Sequence, residues 1–177
     1  RVETRSLDLA DLDHVRRFAA SLSDLDRIDV LINNAGLMLD QRQESAQGHE
    51  ATFAINHLGP FLLTSLLTEQ VVAAPRGRIV NVASFAHQLA PRGIDWADIE
   101  RRRHYRGWIV YGQSKLANIL HADELARLTA VEVVGVILAV LPDRFAVFPL
   151  RFRHAAKFLQ RVAAQGVKHR LARLQFD

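Results

Sequence analysis

The sequence predicts an α/β fold in which a parallel sheet is covered by helices on both faces. Three apolar segments have the length and β-branched character of buried strands, and longer segments with helical periodicity separate them. Strands that alternate with helices of this length form βαβ units, whose strands are parallel. With 177 residues, of which 49% are hydrophobic and 24% charged, the chain has the ordinary composition of a globular protein.

The predicted strands cover residues 28–33, 78–83 and 131–141, and residues 2–7 are a further candidate. The apolar run within the last of these, residues 133–141, has fewer than half of the residues that a bilayer-spanning helix needs. Neither a transmembrane span nor a signal peptide is visible in the sequence. We therefore expect a cytoplasmic location.

Three segments are predicted to be helical. In the first, apolar residues recur at spacings of three and four behind Asp11, a suitable N-cap. The second covers residues 49–74, and Pro60 should kink or break it. The third covers residues 108–130. The expected core positions are Leu12, Val15, Phe18 and Ala19 in the first, Phe53, Leu58, Leu62, Leu66 and Leu67 in the second, and Ile109, Leu116, Ile119, Leu120 and Leu125 in the third.

The composition excludes several classes of function. The chain has no cysteine, so it contains no disulfide, thiol nucleophile or cysteine metal ligand. None of the eight histidines has the spacing of a metal site, and we expect no metal. The net charge of +4 is unevenly divided, because residues 1–150 carry −2 and residues 151–177 carry +6. The basic character thus belongs to the tail, and we expect no nucleic-acid partner.

The tail, residues 151–177, is predicted to be a basic amphipathic helix of unclear origin. Its apolar stripe consists of Phe152, Ala155, Leu159, Val162 and Ala163, with arginines and lysines on both sides. Such a helix can lie on a membrane surface. A helix packed on the sheet with a solvated basic face is the favoured interpretation.

The strongest chemical signal is the pair Tyr111 and Lys115 in the third helix. Residues four apart lie on one helix face, so the phenol and the ammonium are neighbours. A phenol alone has a pKa near 10, and a nearby lysine charge lowers the pKa of a phenol. The pair can therefore act as a general acid or base at neutral pH.

Other polar residues gather where strands end. Ser84 follows the strand 78–83, and residues 33–36 (Asn-Asn-Ala-Gly) follow the strand 28–33, at the sheet edge where α/β proteins bind ligands. Asparagines there also serve in turns. Asn56 lies inside the second helix, where it has no propensity reason to be. Asp8 follows the first candidate strand and suits either a ligand contact or an Asx-turn.

Together these residues resemble the short-chain dehydrogenase/reductase family, from about residue 5 to residue 134. The motifs that carry the resemblance are Asp8-Leu9, Asn33-Asn34-Ala35-Gly36, Asn56-His57-Leu58-Gly59 with Phe61-Leu62-Leu63-Thr64, Val80-Asn81-Val82-Ala83-Ser84 and Tyr111 to Asn118. Ser84 and Tyr111 are 27 residues apart, and Leu116-Ala117-Asn118 follows the Tyr-x-x-x-Lys motif. These two features look most like the retinol dehydrogenase and WW-domain oxidoreductase branch.

The resemblance implies a Rossmann-like doubly wound sheet and hydride transfer between NAD or NADP and a small carbonyl or alcohol substrate. It gives Tyr111 the proton transfer, Ser84 a hydrogen bond to the substrate oxygen, and Lys115 the nicotinamide ribose. It gives Asn56 a water held on its main-chain carbonyl that relays protons to Lys115. It also assigns cofactor contacts to Asp8, Leu9, Asn33, Ala35, Gly36, Tyr111 and Lys115, and allows a homodimer.

The sequence departs from the family pattern at both ends. The family begins with a glycine-rich turn that cradles the pyrophosphate, but the first glycine here is Gly36. We expect the first two βα units to be absent, which leaves the preference between NAD and NADP unreadable and the strand 28–33 as an exposed edge. Pro142 is followed by Asp143 where the family usually has glycine, and nothing beyond Asp143 resembles the family.

The sequence therefore predicts a partial NAD(P)-binding domain over residues 1–150, of an oxidoreductase acting on a carbonyl or secondary alcohol. An inactive truncated remnant, or an interaction module without cofactor binding, is the alternative. We expect the isolated chain to be unstable or to aggregate, and to bind no dinucleotide tightly.

Overall fold

The computed structural model describes residues 2–129, 131–141 and 144–151 and contains one four-stranded sheet. The strands lie in the order β1 (Val30–Asn33), β2 (Arg78–Ser84), β3 (Glu132–Leu141) and β4 (Arg144–Arg151). The first three strands are parallel to one another, and β4 runs antiparallel to β3. The predicted α/β class and the parallel arrangement of the three predicted strands are confirmed.

The helices alternate with the strands as expected. They are α1 (Leu12–Ala20), α2 (Ala51–Phe53), α3 (Gly59–Val72) and α4 (Gly107–Leu128). A π-helical turn, Ala54–Leu58, joins α2 to α3, and two short 3₁₀ helices, Phe85–Leu89 and Trp96–Asp98, lie between β2 and α4. In the part of the chain with described structure, no helix is both long and apolar enough to cross a membrane.

Helix α1 begins where the sequence predicts. The side chain of Asp11 accepts a hydrogen bond from the amide of Asp13 at 2.9 Å, which confirms it as the N-cap. Val15 and Ala19 are buried on the inner face of the helix and pack with Leu63 and Leu67 of α3. The three- and four-residue spacing thus places α1 against α3 on one face of the sheet.

The break predicted at Pro60 lies immediately before it. Pro60 occupies the first turn of α3, a position that tolerates proline, and the π-helical turn precedes it. Because proline has no N–H, the carbonyl of Asn56, four residues earlier, has no α-helical donor. One predicted core residue of this segment is on the surface, since Leu66 is exposed on α3.

Helix α4 covers the sheet with its long inner face. Ile119 and Ala122 pack against Ala83 of β2 and Val133 of β3, and all four side chains are buried. The contact fixes α4 directly over the two central strands. The lysine and tyrosine that α4 carries are therefore held near the end of β2.

Two expectations at the ends of the chain are wrong. Residues 2–7 form no strand, because no neighbouring strand lies beside them to share hydrogen bonds within the described chain. Arg151, predicted to begin the helical tail, is the last residue of β4. Residues 142–143 and the predicted helix over 152–177 lie outside the described residues.

Strand β4 is an addition to the predicted sheet. It begins three residues after the end of β3, which suits an antiparallel hairpin. Pro149 lies within it. Proline has no N–H to donate to the ladder, so within sheets it is confined to edge strands, and β4 is an edge strand of the described sheet. Strand β4 accordingly forms one edge of the described sheet.

Strand β1 lies at the opposite edge of the described sheet. Val30 is 46% exposed and Ile32 is 60% exposed, so the predicted apolar edge is confirmed. An edge strand presents unpaired N–H and C=O groups, and exposed apolar side chains make it a template for pairing with another chain.

We predict that the 177-residue chain self-associates through β1 and that Ile32→Lys reduces this association, because a charge on an edge strand opposes strand pairing. Static light scattering against protein concentration measures the effect. Val72→Lys is the matched control, since Val72 is a 53% exposed residue of α3 and gains the same charge. Equal scattering by the two variants would exclude β1 as the surface of association.

Candidate active site

The candidate site lies at the carboxyl ends of β1 and β2. Asn33 and Asn81 are paired in the register of these strands, and Ser84 is the last residue of β2. Because the strands are parallel, the loop after β1, residues 34–37, leaves the sheet at the same edge as Ser84.

Asn56 connects this loop to α4. Its Oδ1 accepts a hydrogen bond from the amide of Leu37 at 2.8 Å, and its Nδ2 donates to the carbonyl of Leu37 at 2.8 Å. The same Nδ2 donates to Oγ of Ser114 at 3.0 Å, and that hydroxyl donates to the carbonyl of Tyr111 at 2.8 Å. Asn56 is fully buried, and these bonds satisfy its side chain.

Gly36 brings the loop against α4. A Cβ atom at this position would lie 3.0 Å from Nζ of Lys115 and 3.2 Å from Oδ1 of Asn56. A side chain there would displace the ammonium or the amide, so the missing side chain permits the close approach. The structure thus brings together Gly36, Asn56 and Lys115, which the sequence separates by 79 residues.

Lys115 is a buried cation. Its side chain is 3% exposed, its Nζ donates to the carbonyl of Val82 at 3.2 Å, and Nζ lies 5.6 Å from the centre of the Tyr111 ring. Burial lowers the pKa of Lys115 to about 8, because desolvation penalises the ammonium. The predicted proximity of the two side chains is present.

The turn that follows Ser84 packs closely on α4. The hydroxyl of Ser84 accepts a hydrogen bond from the amide of Ala86 at 3.2 Å and caps the 3₁₀ helix that follows β2. A Cβ atom at Gly112 would lie 2.5 Å from the carbonyl oxygen of Ala86. The residue after Tyr111 therefore packs directly on the turn after Ser84.

Of the cofactor-binding residues predicted at the end of β1, Asn33 has its side chain hydrogen-bonded within the protein. Nδ2 of Asn33 donates to Oγ1 of Thr64 at 2.9 Å and to Oδ1 of Asn81 at 2.7 Å, which uses both of its hydrogens. Ala35 is exposed in the loop beside Gly36. A contact of either residue with a cofactor stays a prediction.

Asp8 and Leu9 have local partners. Oδ1 of Asp8 accepts a hydrogen bond from the amide of Ala10 at 2.8 Å, the Asx-turn that the sequence allowed. Leu9 packs on the start of α3, because a Cβ atom at Gly59 would lie 2.7 Å from the carbonyl oxygen of Leu9. These contacts leave a cofactor role for Asp8 or Leu9 as a prediction.

The sequence analysis missed a buried network beside the site. Glu50 is 1% exposed and caps α2 by accepting hydrogen bonds from the amides of Thr52 and Phe53. The hydroxyl oxygen of Tyr105 lies 3.2 Å from Oε1 of Glu50 and 3.1 Å from the carbonyl oxygen of Leu39, and these two acceptors share its single hydrogen. A glutamate directly before an apolar helical run was the available signal. No group of three or more potential metal ligands occurs in the described ranges.

A parallel sheet with a polar site at the carboxyl ends of its strands is the arrangement of Rossmann-like α/β proteins. A sequence profile of the short chain dehydrogenase family matches residues 1–95, more than half of the chain. The chain therefore belongs to the short-chain dehydrogenase family, as its motifs suggest.

Similar proteins extend the match beyond those residues. Human retinol dehydrogenase 11 is 43% identical over 128 residues, which are 72% of this chain and 40% of that protein. Short-chain dehydrogenase TIC 32 A of Brassica napus chloroplasts is 39% identical over 145 residues, 78% of this chain and 45% of that protein. The chain thus spans about two fifths of the length of the curated relatives that it matches.

The fold is also similar to solved structures. A protein of Mycobacterium paratuberculosis, described as uncharacterized, superposes with a TM-score of 0.67 and is 36% identical. The match covers 97% of this chain and 60% of that one. It supports the sheet and helix arrangement of the described residues.

We predict that Lys115→Met stabilises a complete version of the protein at neutral pH, because it removes a buried ammonium and keeps the apolar stem. The unfolded-state pKa is near 10.5 and the folded-state pKa is about 8, so the folded lysine loses its proton first as the pH rises. The wild type therefore gains stability between about pH 8 and pH 10.5, and the advantage of the variant shrinks there.

Thermal unfolding followed by circular dichroism at pH 7, 8, 9 and 10 checks this prediction. Arg127→Met is the control, since Arg127 is an exposed cation of the same helix, paired with Glu124. A variant difference that is constant across the pH series would contradict a depressed pKa at Lys115.

Proposed function

We propose that this chain carries the catalytic segment of an NAD(P)-dependent oxidoreductase that acts on a carbonyl or a secondary alcohol. The observation that carries the proposal is the buried ammonium of Lys115, placed both beside the ring of Tyr111 and against the open backbone of Gly36. Such an ammonium can serve a phenol on one side and a ligand on the other. The similarity to retinol dehydrogenase 11 supports this class of reaction.

The residues present fit the ribose of a nicotinamide cofactor. An ammonium has three hydrogens to donate, and the carbonyl of Val82 takes one of those of Lys115. Among the described residues no carboxylate forms an ion pair with Lys115, so the other hydrogens can bind ribose hydroxyls. Gly36 leaves the space beside Nζ without a side chain. The cofactor, when bound, supplies or accepts the hydride.

Tyr111 is the proposed acid and base. In the reduction direction its hydroxyl gives a proton to the carbonyl oxygen of the substrate, and in the oxidation direction it takes the proton of the alcohol. The neighbouring ammonium of Lys115 stabilises the negative charge that the phenol develops. Ser84, at the end of β2, would donate a hydrogen bond to the same oxygen and fix its orientation.

Asn56 is proposed to act through its main-chain carbonyl. A carbonyl oxygen has two lone pairs, and the side chain of Asn118 occupies one at 3.0 Å. The other can hold a water that passes protons towards Lys115. We further propose a small-molecule substrate, a cytoplasmic location and no nucleic-acid partner. We also propose a homodimer. For the tail, residues 151–177, packing on the sheet is favoured over contact with a membrane surface.

We predict that Tyr111→Phe in a complete version of the protein abolishes turnover but leaves cofactor binding, because the ring remains and only the ionisable hydroxyl is lost. Oxidation of NADH and NADPH with a panel of aldehydes and ketones that includes retinal measures turnover. Fluorescence titration of the reduced cofactor measures binding.

Tyr105→Phe is the matched control, because it removes the hydroxyl of the only other tyrosine. That hydroxyl bonds to Glu50 and Leu39, so this variant should lose stability and keep its turnover. An active Tyr111→Phe variant would refute the proposed role of Tyr111.

A further inference from the structure

The main-chain carbonyl of Asn56 is held by a short chain of side chains that leads away from the proposed reaction. We propose that Asn118 and His57 are positioning residues: the amide of Asn118 fixes the Asn56 carbonyl, and His57 fixes the orientation of that amide. The proposal rests on the proposed function for its kinetic consequence. Its structural part can be tested without activity.

The local sequence removes the α-helical donor of this carbonyl. In a regular α-helix the carbonyl of Asn56 would accept from the amide of residue 60. That residue is Pro60, which has no N–H, and the helix passes through a π-helical turn here. A buried carbonyl without a donor is costly, and Asn118 supplies one at 3.0 Å.

The surroundings of Asn118 determine which way its amide points. Its Nδ2 lies 3.0 Å from the carbonyl oxygen of Asn56 and 3.4 Å from that of Val82. Both oxygens only accept hydrogen bonds, so the NH₂ group must face them. The Oδ1 atom then faces His57, whose Nδ1 lies 3.0 Å away.

His57 must therefore donate. An amide oxygen has no hydrogen, so the bond forms only if Nδ1 of His57 carries one. Burial lowers the pKa of His57, which favours a neutral ring. The neutral ring with its hydrogen on Nδ1 satisfies both conditions. The hydrogen bonds then run in one direction, from His57 to Asn118 and on to Asn56.

The same amide also sits beside the anchor of Lys115. The carbonyl of Val82 accepts from Nδ2 of Asn118 at 3.4 Å and from Nζ of Lys115 at 3.2 Å. A turned amide would place Oδ1 against two carbonyl oxygens and push the Asn56 carbonyl away from its position. The orientation of Asn118 thus sets the separation between the Asn56 carbonyl and the lysine that it serves.

The first test is spectroscopic and uses the wild type in a complete version of the protein. Long-range ¹H–¹⁵N correlation spectra of ¹⁵N-histidine-labelled protein distinguish the two neutral tautomers. His57→Asn identifies the resonances of His57. We expect a neutral ring protonated on Nδ1, and a ring protonated on Nε2 alone would overturn the proposal even if the enzyme is active.

The second test compares three variants in steady-state kinetics. His57→Leu cannot donate to Asn118, and it should lower kcat by about tenfold or more with KM for the cofactor unchanged. His57→Asn places an amide nitrogen where Nδ1 was and should keep kcat within about twofold of the wild type, since the donor is restored. His121→Leu is the control, because His121 belongs to the same ring cluster, with its ring centre 6.0 Å from that of His57.

The outcomes separate the two proposals. Loss of kcat in His57→Leu with rescue in His57→Asn supports positioning, whereas equal kcat in both, or an equal loss in His121→Leu, contradicts it. A wild type without turnover on any substrate refutes the proposed function, and the tautomer of His57 then still decides the structural part.

Discussion

The buried side chain of Asn56 is the constraint on which the site depends. An amide without solvent must have its donors and acceptor satisfied by the protein, and each partner of Asn56 comes from a different element. Leu37 belongs to the loop after β1, and Ser114 belongs to α4. Because the amide has no alternative partners, the loop and the helix hold a fixed separation. The close approach of Gly36 to Lys115 depends on that separation.

Backbone shape reinforces this constraint. Gly36 and Gly112 allow contacts that a side chain would prevent, one against the lysine and one against the turn after β2. Pro60 acts in the opposite way, since it withholds a hydrogen bond and leaves the Asn56 carbonyl to other partners. The geometry of the site therefore depends on the missing side chains of the two glycines and the missing N–H of Pro60 as much as on the polar side chains.

The sequence predicted what local periodicity and spacing determine. The three parallel strands, the Asp11 cap and the break near Pro60 each depend on neighbours within about one or two helical turns. The strand predicted over residues 2–7 was wrong, and β4 was missed. Both errors arise because a strand forms only when another strand lies beside it. The pair of Tyr111 and Lys115 was visible from its spacing. The link from Asn118 to Asn56 joins residues 62 positions apart, and spacing alone gives no sign of it.

The internal hydrogen bonds of Asn33 limit what its side chain can offer to a ligand at the sheet edge. Thr64 and Asn81 take both hydrogens of its amide, so the side chain has only its oxygen left to offer. The side chain of Asn33 therefore offers a ligand an acceptor and no donor. Hydroxyl and amino groups complement such an atom, whereas phosphate oxygens do not, so this side chain would favour the sugar or base of a dinucleotide over its pyrophosphate.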